Sequence, residues 1–185
     1  MSIPLSFLYP YGRSGLISGN GRFEIPEGYL SATTAPGTRH QAVSLRMAIA
    51  LLKHIEARNL GRVFQAPYGA VLSRETVIQP DILFVRRERR GMIGPMSLQG
   101  APDLVIEILS QSTREVDLTI KRKIYSRFEI PEYWIVDPGV DTVEVLVWSE
   151  MGYASAGVYG KSERLSSPLL PLNLHLSRVF KAEYT

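Results

Sequence analysis

Residues 102–138, PDLVIEILSQSTREVDLTIKRKIYSRFEIPEYWIVDP, decide the fold. Asp103 to Leu109 is an apolar run broken only by Glu107, too continuous for a half-exposed strand, so it predicts a central strand covered on both faces. A helix follows. Ser112 with Glu115 three residues later has capping-box spacing, and Asp117 falls in the first turn, where a carboxylate suits the helix dipole. Val116, Ile120, Ile124 and Phe128 recur at the spacing of a buried stripe. Pro131 stops the helix, and Tyr133 to Val136 predicts the next strand.

Working outward, Val43, Met47, Ala50, Leu51 and Ile55 predict a helix from Thr38 to about Arg58, stopped at Asn59-Leu60-Gly61. Strands are expected at Arg62–Gln65, Gly69–Ser73 and Val77–Val85, with Pro67 and Ser73-Arg74-Glu75 as breaks. Arg86 to Arg90 and the Gly/Pro/Met segment after it read as a loop. The stretch up to about Pro36 is rich in Gly and Pro and reads as irregular, with short strands around Arg22–Ile25 and near Tyr29–Ala32. Downstream, Thr142–Trp148 alternates as a strand with Gly152–Tyr159 as its hairpin partner. A Leu/Pro-rich tail from Ser167 packs back on the body. The order is helix, strands, helix, strand, β-rich end. It predicts an α/β (α+β) fold in one domain: an irregular segment (1–36), a core (38–138) and a C-terminal extension (139–185).

The 185 residues are 45% hydrophobic, 21% charged and 9% aromatic, the proportions of an ordinary globular chain. No apolar stretch approaches the ~20 residues of a membrane helix. The start, MSIPLSFLYPYGRSG, lacks the basic opening of a signal peptide, and a cytoplasmic protein is expected. Cysteine is absent, which excludes disulfides, thiolate catalysis and cysteine-ligated zinc. A net charge of +3 permits a polyanionic partner without requiring one.

Familiar catalytic patterns are missing: no phosphate loop ending in Gly-Lys-Ser/Thr, no His-Glu-x-x-His helix, no Gly-x-Ser-x-Gly elbow. The three histidines, His40, His54 and His175, are scattered. What remains is acid set in apolar strands. Glu107 has two apolar residues on each side, and an unpaired buried carboxylate costs several kcal/mol, so it must be paired, protonated or bound to a cation. Asp81 has a similar setting at the start of another apolar run. Two strand-borne carboxylates are the usual minimum for holding Mg²⁺ against a phosphate. An arginine partner for Glu107 and a turn-capping role for Asp81 fit the same pattern. Lys121, on the helix after the Glu107 strand, flanks the buried stripe and has a stem long enough to reach the carboxylates.

Several segments together resemble the Uma family of restriction-endonuclease-like proteins, within the PD-(D/E)XK nuclease superfamily. They are Pro80-Asp81, the run Ala101 to Ser110 with Glu107, Ser112-Thr113, Asp117, Lys121, Tyr125, and Pro131 to Pro138. Arg22 to Ile25, Gly28 and His40 are similar to the family's N-terminal pattern. The resemblance runs from about Arg22 to the end. It implies a restriction-endonuclease-like core of helix, three-strand meander, helix and fourth strand, with additional strands at the C-terminus. It further implies Asp81 and Glu107 as metal ligands, with the Ile108 carbonyl as a third. The superfamily lysine position, two residues after the acid, is Leu109 here, and the resemblance assigns that role to Lys121 on the following helix. His40, Glu24, Asp103 and Tyr125 are the supporting candidates around the site.

The expectation is a Mg²⁺- or Mn²⁺-dependent endonuclease acting on phosphodiester bonds in DNA, with Asp81, Glu107 and Lys121 as its catalytic set. The alternative is a catalytically degenerate nucleic-acid-binding or oligomeric scaffold protein of the same fold. Arg86 to Arg90, Arg114, Arg122, Lys123 and Arg127 are candidates for tracking a DNA backbone. By resemblance a homodimer is expected, with the apolar segment Ser167–Leu176 either serving that interface or covering the core.

Overall fold

Val43, Met47, Leu51 and Ile55 recur along helix α1, Thr38–Ala57, and all four are buried. That one-sided stripe obliges α1 to lie on an apolar sheet. The computed structural model describes residues 36–181 and the backbone of two short paired strands, Arg22–Glu24 (β1) and Ser31–Thr33 (β2). The remainder of the N-terminal segment and the side chain of Glu24 lie outside the described residues.

After α1, which ends at the left-handed Asn59 (φ 50°) as read, the chain forms β3 (Gly61–Gln65), β4 (Gly69–Val71), β5 (Val77–Ile78), β6 (Ile82–Arg86), β7 (Ser97–Gln99) and β8 (Leu104–Ile108). A continuous helical run follows: α2 (Arg114–Val116), a π-helical turn (Asp117–Lys121) and α3 (Arg122–Arg127). Then come β9 (Glu132–Asp137), β10 (Thr142–Ser149), β11 (Gly152–Gly160), β12 (Arg164–Ser166) and β13 (Asn173–His175). Six strands make one mixed sheet in the order β11-β10-β9-β8-β6-β3. Within this sheet, among the described residues, β8 and β9 are the one parallel pair, and the helical run makes the crossover that parallel neighbours require.

The meander expected before that crossover is β3, β6 and β8, each antiparallel to its neighbour. Two of its details differ from expectation. Val77–Val85 is not one strand: Gln79-Pro80-Asp81 separates β5 from β6, Pro80 having no N–H for a ladder. The segment between Arg86 and Ala101 is not plain loop. It forms a 3₁₀ helix, Arg87–Met92, and β7, which joins β4 and β5 in a separate three-stranded sheet.

Strand alternation divides the core. Ile82, Phe84, Leu104, Ile106, Ile108, Trp134 and Val136 face α1 and the C-terminal tail. Leu83, Val85, Val105, Tyr133 and Ile135 face α3 and the small sheet. Both faces are covered, which is why β6, β8 and β9 read as nearly unbroken apolar runs. The tail supplies Leu165, Leu170, Leu172, Leu174, Leu176, Val179 and Phe180 to the α1 side, so the apolar stretch Ser167–Leu176 covers the core. Among the described residues, no helix is long and apolar enough to cross a membrane.

The helix after β8 departs most from the reading. Val116 and Ile120 are exposed, whereas Asp117, Lys121, Ile124 and Tyr125 are buried. The row that faces the sheet is Asp117, Lys121 and Tyr125, four residues apart and one position on from the expected apolar row, so the charged pair is buried and the apolar pair faces out. The helix also begins one residue later than the Ser112 spacing predicts: Thr113 immediately precedes α2 and makes no side-chain cap, and the Ser110 hydroxyl accepts the Thr113 N–H.

One buried acid fastens the tail. Glu132, at the start of β9, accepts from Trp134 Nε1 (2.5 Å) and Ser167 Oγ (2.7 Å) on one oxygen and from the Leu169 N–H (2.8 Å) on the other. Burial raises its carboxyl above the ordinary value, opposed by these three donors. Glu132→Ala orphans them, and urea unfolding is expected to lose about 3 kcal/mol, with protease cleavage near Ser167 appearing first. Because the folded pKa is raised, stability from this site is greatest below the ordinary carboxyl range and declines as pH rises through the raised value. Glu132→Gln should flatten that dependence in a Tm-versus-pH series.

Candidate active site

The antiparallel register of β6 and β8 pairs Ile82 with Ile106, so Asp81 falls opposite Glu107 one step further along. Both side chains belong to the α3 face and both are buried, at 4% and 1% exposure. Like charges directly opposite on a sheet repel, and burial removes the water that would screen them. The surrounding groups answer that repulsion. Asp81 Oδ2 accepts the Ile108 N–H at 2.8 Å, and His40 Nε2 lies 3.2 Å from the same oxygen. Glu107 Oε1 accepts a short hydrogen bond from the Tyr125 hydroxyl and lies 3.0 Å from Lys121 Nζ. Lys121 Nζ is also 3.2 Å from Asp117 Oδ1.

These contacts bring Asp81, Glu107, Lys121, His40, Tyr125 and the Ile108 backbone together. The wide turn delivers Lys121, while Lys123 two residues on is exposed. Tyr133 holds the turn by donating its hydroxyl to the Asp117 carbonyl (3.1 Å), and it stacks edge-on against Tyr125 with ring centroids 5.1 Å apart. The His40 ring enters from the first turn of α1. With Nε2–H directed at Asp81, its Nδ1 is buried without a hydrogen-bond partner.

Asp117 is the residue that sequence reasoning missed. Read as a helix-dipole carboxylate, it is 1% exposed and shares Lys121 with Glu107. The signal was available: Asp117, Lys121 and Tyr125 form a polar row at i, i+4 and i+8 beside an apolar strand. Burial raises the Asp117 carboxyl above its ordinary value; Lys121 opposes the shift and the nearby Asp81 charge adds to it. Glu107 and Asp117 thus share the Lys121 ammonium, with the buried Asp81 carboxylate nearby.

Asp103 is placed elsewhere. It precedes β8, at the opposite end from Glu107, where Oδ2 accepts the Arg86 N–H (2.8 Å) and Oδ1 lies 2.8 Å from Arg89 Nη1. The Arg86–Arg90 cluster therefore sits at the end of β6 remote from Asp81, about 16 Å away over a five-residue strand. The active edge of the sheet is the one where β6 begins and β8 and β9 end.

The charge balance of this pocket bears on what it could hold. Among the described residues, no three His, Cys, Asp or Glu side chains converge as a ready-made metal cage. Mg²⁺ does not demand one, since it commonly keeps several waters and binds through one or two carboxylates plus substrate phosphate. Hard oxygen donors on Asp81 and Glu107, within a pocket of excess negative charge, fit such an ion.

The sequence model described as "Putative restriction endonuclease", for the Uma2 family, matches residues 14–178. No protein of curated function matches the chain. Among solved structures, a "putative nuclease belonging to DUF820" from Anabaena variabilis superposes with a TM-score of 0.70. The two are 19% identical, over 85% of this chain and 89% of that one. At that identity the likeness shows a shared fold, the mixed α/β fold of restriction-endonuclease-like nucleases. The family match covers nearly the whole core and both carboxylate strands, and on that ground the chain belongs to the Uma2 family.

Proposed function

We propose that this chain is a Mg²⁺- or Mn²⁺-dependent endonuclease that hydrolyses phosphodiester bonds in DNA. The carrying observation is the facing pair Asp81 and Glu107, buried on adjacent strands with Lys121 lodged between Glu107 and Asp117. Asp81 and Glu107 would hold the ion, with the Ile108 carbonyl as a third oxygen. A bound divalent ion neutralises charge on the phosphate and lowers the pKa of water.

The chain's own groups do the rest. The Ile108 N–H and His40 fix the orientation of the Asp81 carboxylate. The Tyr125 hydroxyl fixes that of Glu107. Lys121 carries the positive charge that would orient the attacking water or stabilise the negative charge developing on the phosphoryl oxygens. Asp117 holds the other side of the Lys121 ammonium and limits its excursion. Cutting both strands of a duplex would bring two such sites together, and light scattering measures whether the chain is a dimer.

One observation favours a second reading. Glu107 Oε1 is already engaged by both Lys121 and Tyr125, as it would be in a catalytically degenerate nucleic-acid-binding or scaffold protein that keeps its carboxylates for stability. Calorimetric titration of Mn²⁺ separates the two. The nuclease reading expects binding by the wild type and its loss in Asp81→Asn and in Glu107→Gln, with circular dichroism unchanged. Absence of wild-type binding, with and without DNA, would overturn it.

Lys121→Met is expected to keep Mn²⁺ affinity while plasmid cleavage falls on the order of 10²-fold or more. The same variant strips Asp117 of the ammonium that opposes its raised pKa. Its thermal stability should therefore match the wild type most closely in acid and fall behind as pH rises through the carboxyl range.

A further inference from the structure

Three cations outside the catalytic cluster meet two acids at the turn between β9 and β10, on the active edge of the sheet. Arg39 donates from Nε to the Pro138 carbonyl (2.8 Å) and from Nη2 to Asp141 Oδ1 (2.7 Å). Arg114 donates from Nη1 to Asp137 Oδ2 (2.6 Å), and Lys161 Nζ lies 3.3 Å from Asp141 Oδ2. Glu115 adjoins Arg114, and Glu163 accepts the Gly160 N–H next to Lys161, so the rim carries charges of both signs. Both arginine side chains remain about half exposed, at 50% and 53%.

Their positions tie them to the site. Arg39 immediately precedes His40, which touches Asp81, and Arg114 stands three residues, about 4.5 Å of helical rise, before Asp117. Asp137 follows Val136, the register partner of Ile108. These bonds use two of the five N–H donors of Arg39 and one of the five of Arg114. Each guanidinium is thus restrained by an acid or carbonyl on one side and presents donors to solvent on the other, a preorganised fork for a phosphate. The other basic surface, Arg86–Arg90, stands at the opposite end of β6, with Arg86 and Arg89 drawn towards Asp103.

We propose that Arg39 and Arg114, with Lys161 beside them, grip the backbone phosphates of a nucleic-acid strand next to the bond placed at Asp81 and Glu107. The inference rests on the nuclease reading and adds the surface along which substrate enters. Asp137 and Asp141 act against it, holding the arginines in place and setting a ceiling on affinity.

The test is fluorescence anisotropy with a short labelled DNA duplex in EDTA, so that nothing is cleaved, over a series of salt concentrations. Arg39→Gln with Arg114→Gln is expected to weaken binding on the order of tenfold and to lower the salt slope by about 1.8, roughly 0.9 for each lost phosphate. Asp141→Asn is expected to tighten binding. Asp141 has φ 54°, a conformation Asn accepts, so that variant keeps the turn. Arg87→Gln with Arg90→Gln should leave affinity within about twofold, as for surface charges away from the path.

A matching RNA duplex is run alongside, and a loss with either polymer in the Arg39/Arg114 variant supports the rim. Unchanged binding in that variant, no tightening in Asp141→Asn, transfer of the loss to Arg87/Arg90, or no binding of either polymer by the wild type overturns it. Mn²⁺ titration of the Arg39/Arg114 variant keeps the two readings apart. Retained metal binding with unchanged DNA affinity rejects the rim alone, and absence of metal binding in the wild type rejects the nuclease reading.

Discussion

Asp81 and Glu107 face one another across β6 and β8 with almost no access to solvent, and much of the structure around them serves to tolerate that arrangement. Two buried carboxylates in opposition are destabilising unless donors and opposite charge surround them. The Ile108 N–H, His40, Tyr125 and Lys121 provide these from a strand end, a helix start and the crossover helix. Asp117 then places a second carboxylate on the Lys121 ammonium, so the pocket holds three carboxyl groups beside one ammonium. An arrangement built for stability alone would gain by replacing these groups with apolar ones of similar volume.

That pocket exists because the crossover helix turns a polar row to the sheet. Asp117, Lys121 and Tyr125, four residues apart, face inward, whereas Val116 and Ile120 stay outside. The Tyr133 hydroxyl holds the π-helical turn by donating to the Asp117 carbonyl. The exposure of Val116 and Ile120 is the local cost of placing an ammonium beside Glu107. Tyr125, in the next turn, recovers some of it by packing on Tyr133 while its hydroxyl serves the carboxylate.

The strands also separate two kinds of buried charge. At the active edge, acids outnumber the one ammonium. At the far end of β6, Asp103 receives the Arg86 N–H and two arginine side chains, a closed clamp for the loop before β8. Glu132 makes a third arrangement, an acid filled entirely by neutral donors that pins the C-terminal tail over the α1 side of the sheet. The buried acids beside or within the same sheet thus fall into three arrangements, according to whether their partners are cations, neutral donors or other acids.

The sequence by itself determined the elements that rest on periodicity and composition. The four-residue recurrence of Val43, Met47, Leu51 and Ile55 marks α1, and the unbroken runs of β8 and β9 mark strands covered on both faces. It also marked Asp81 and Glu107 as acids out of place in apolar surroundings, because that anomaly is local. What it did not reveal depends on contacts between distant segments. The expected helical stripe failed at Val116 and Ile120, because the partners that draw Asp117 and Lys121 to the sheet lie on other elements of the chain. Asp117 looked like a dipole residue until the turn carried it inward. That Arg86 to Arg90 lies at the opposite end of β6 from Asp81, with Arg86 and Arg89 drawn to Asp103, follows from strand direction and not from local sequence. Periodicity is a property of neighbours in the chain, whereas the sharing of one ammonium by two acids is decided only when the crossover helix packs across β8.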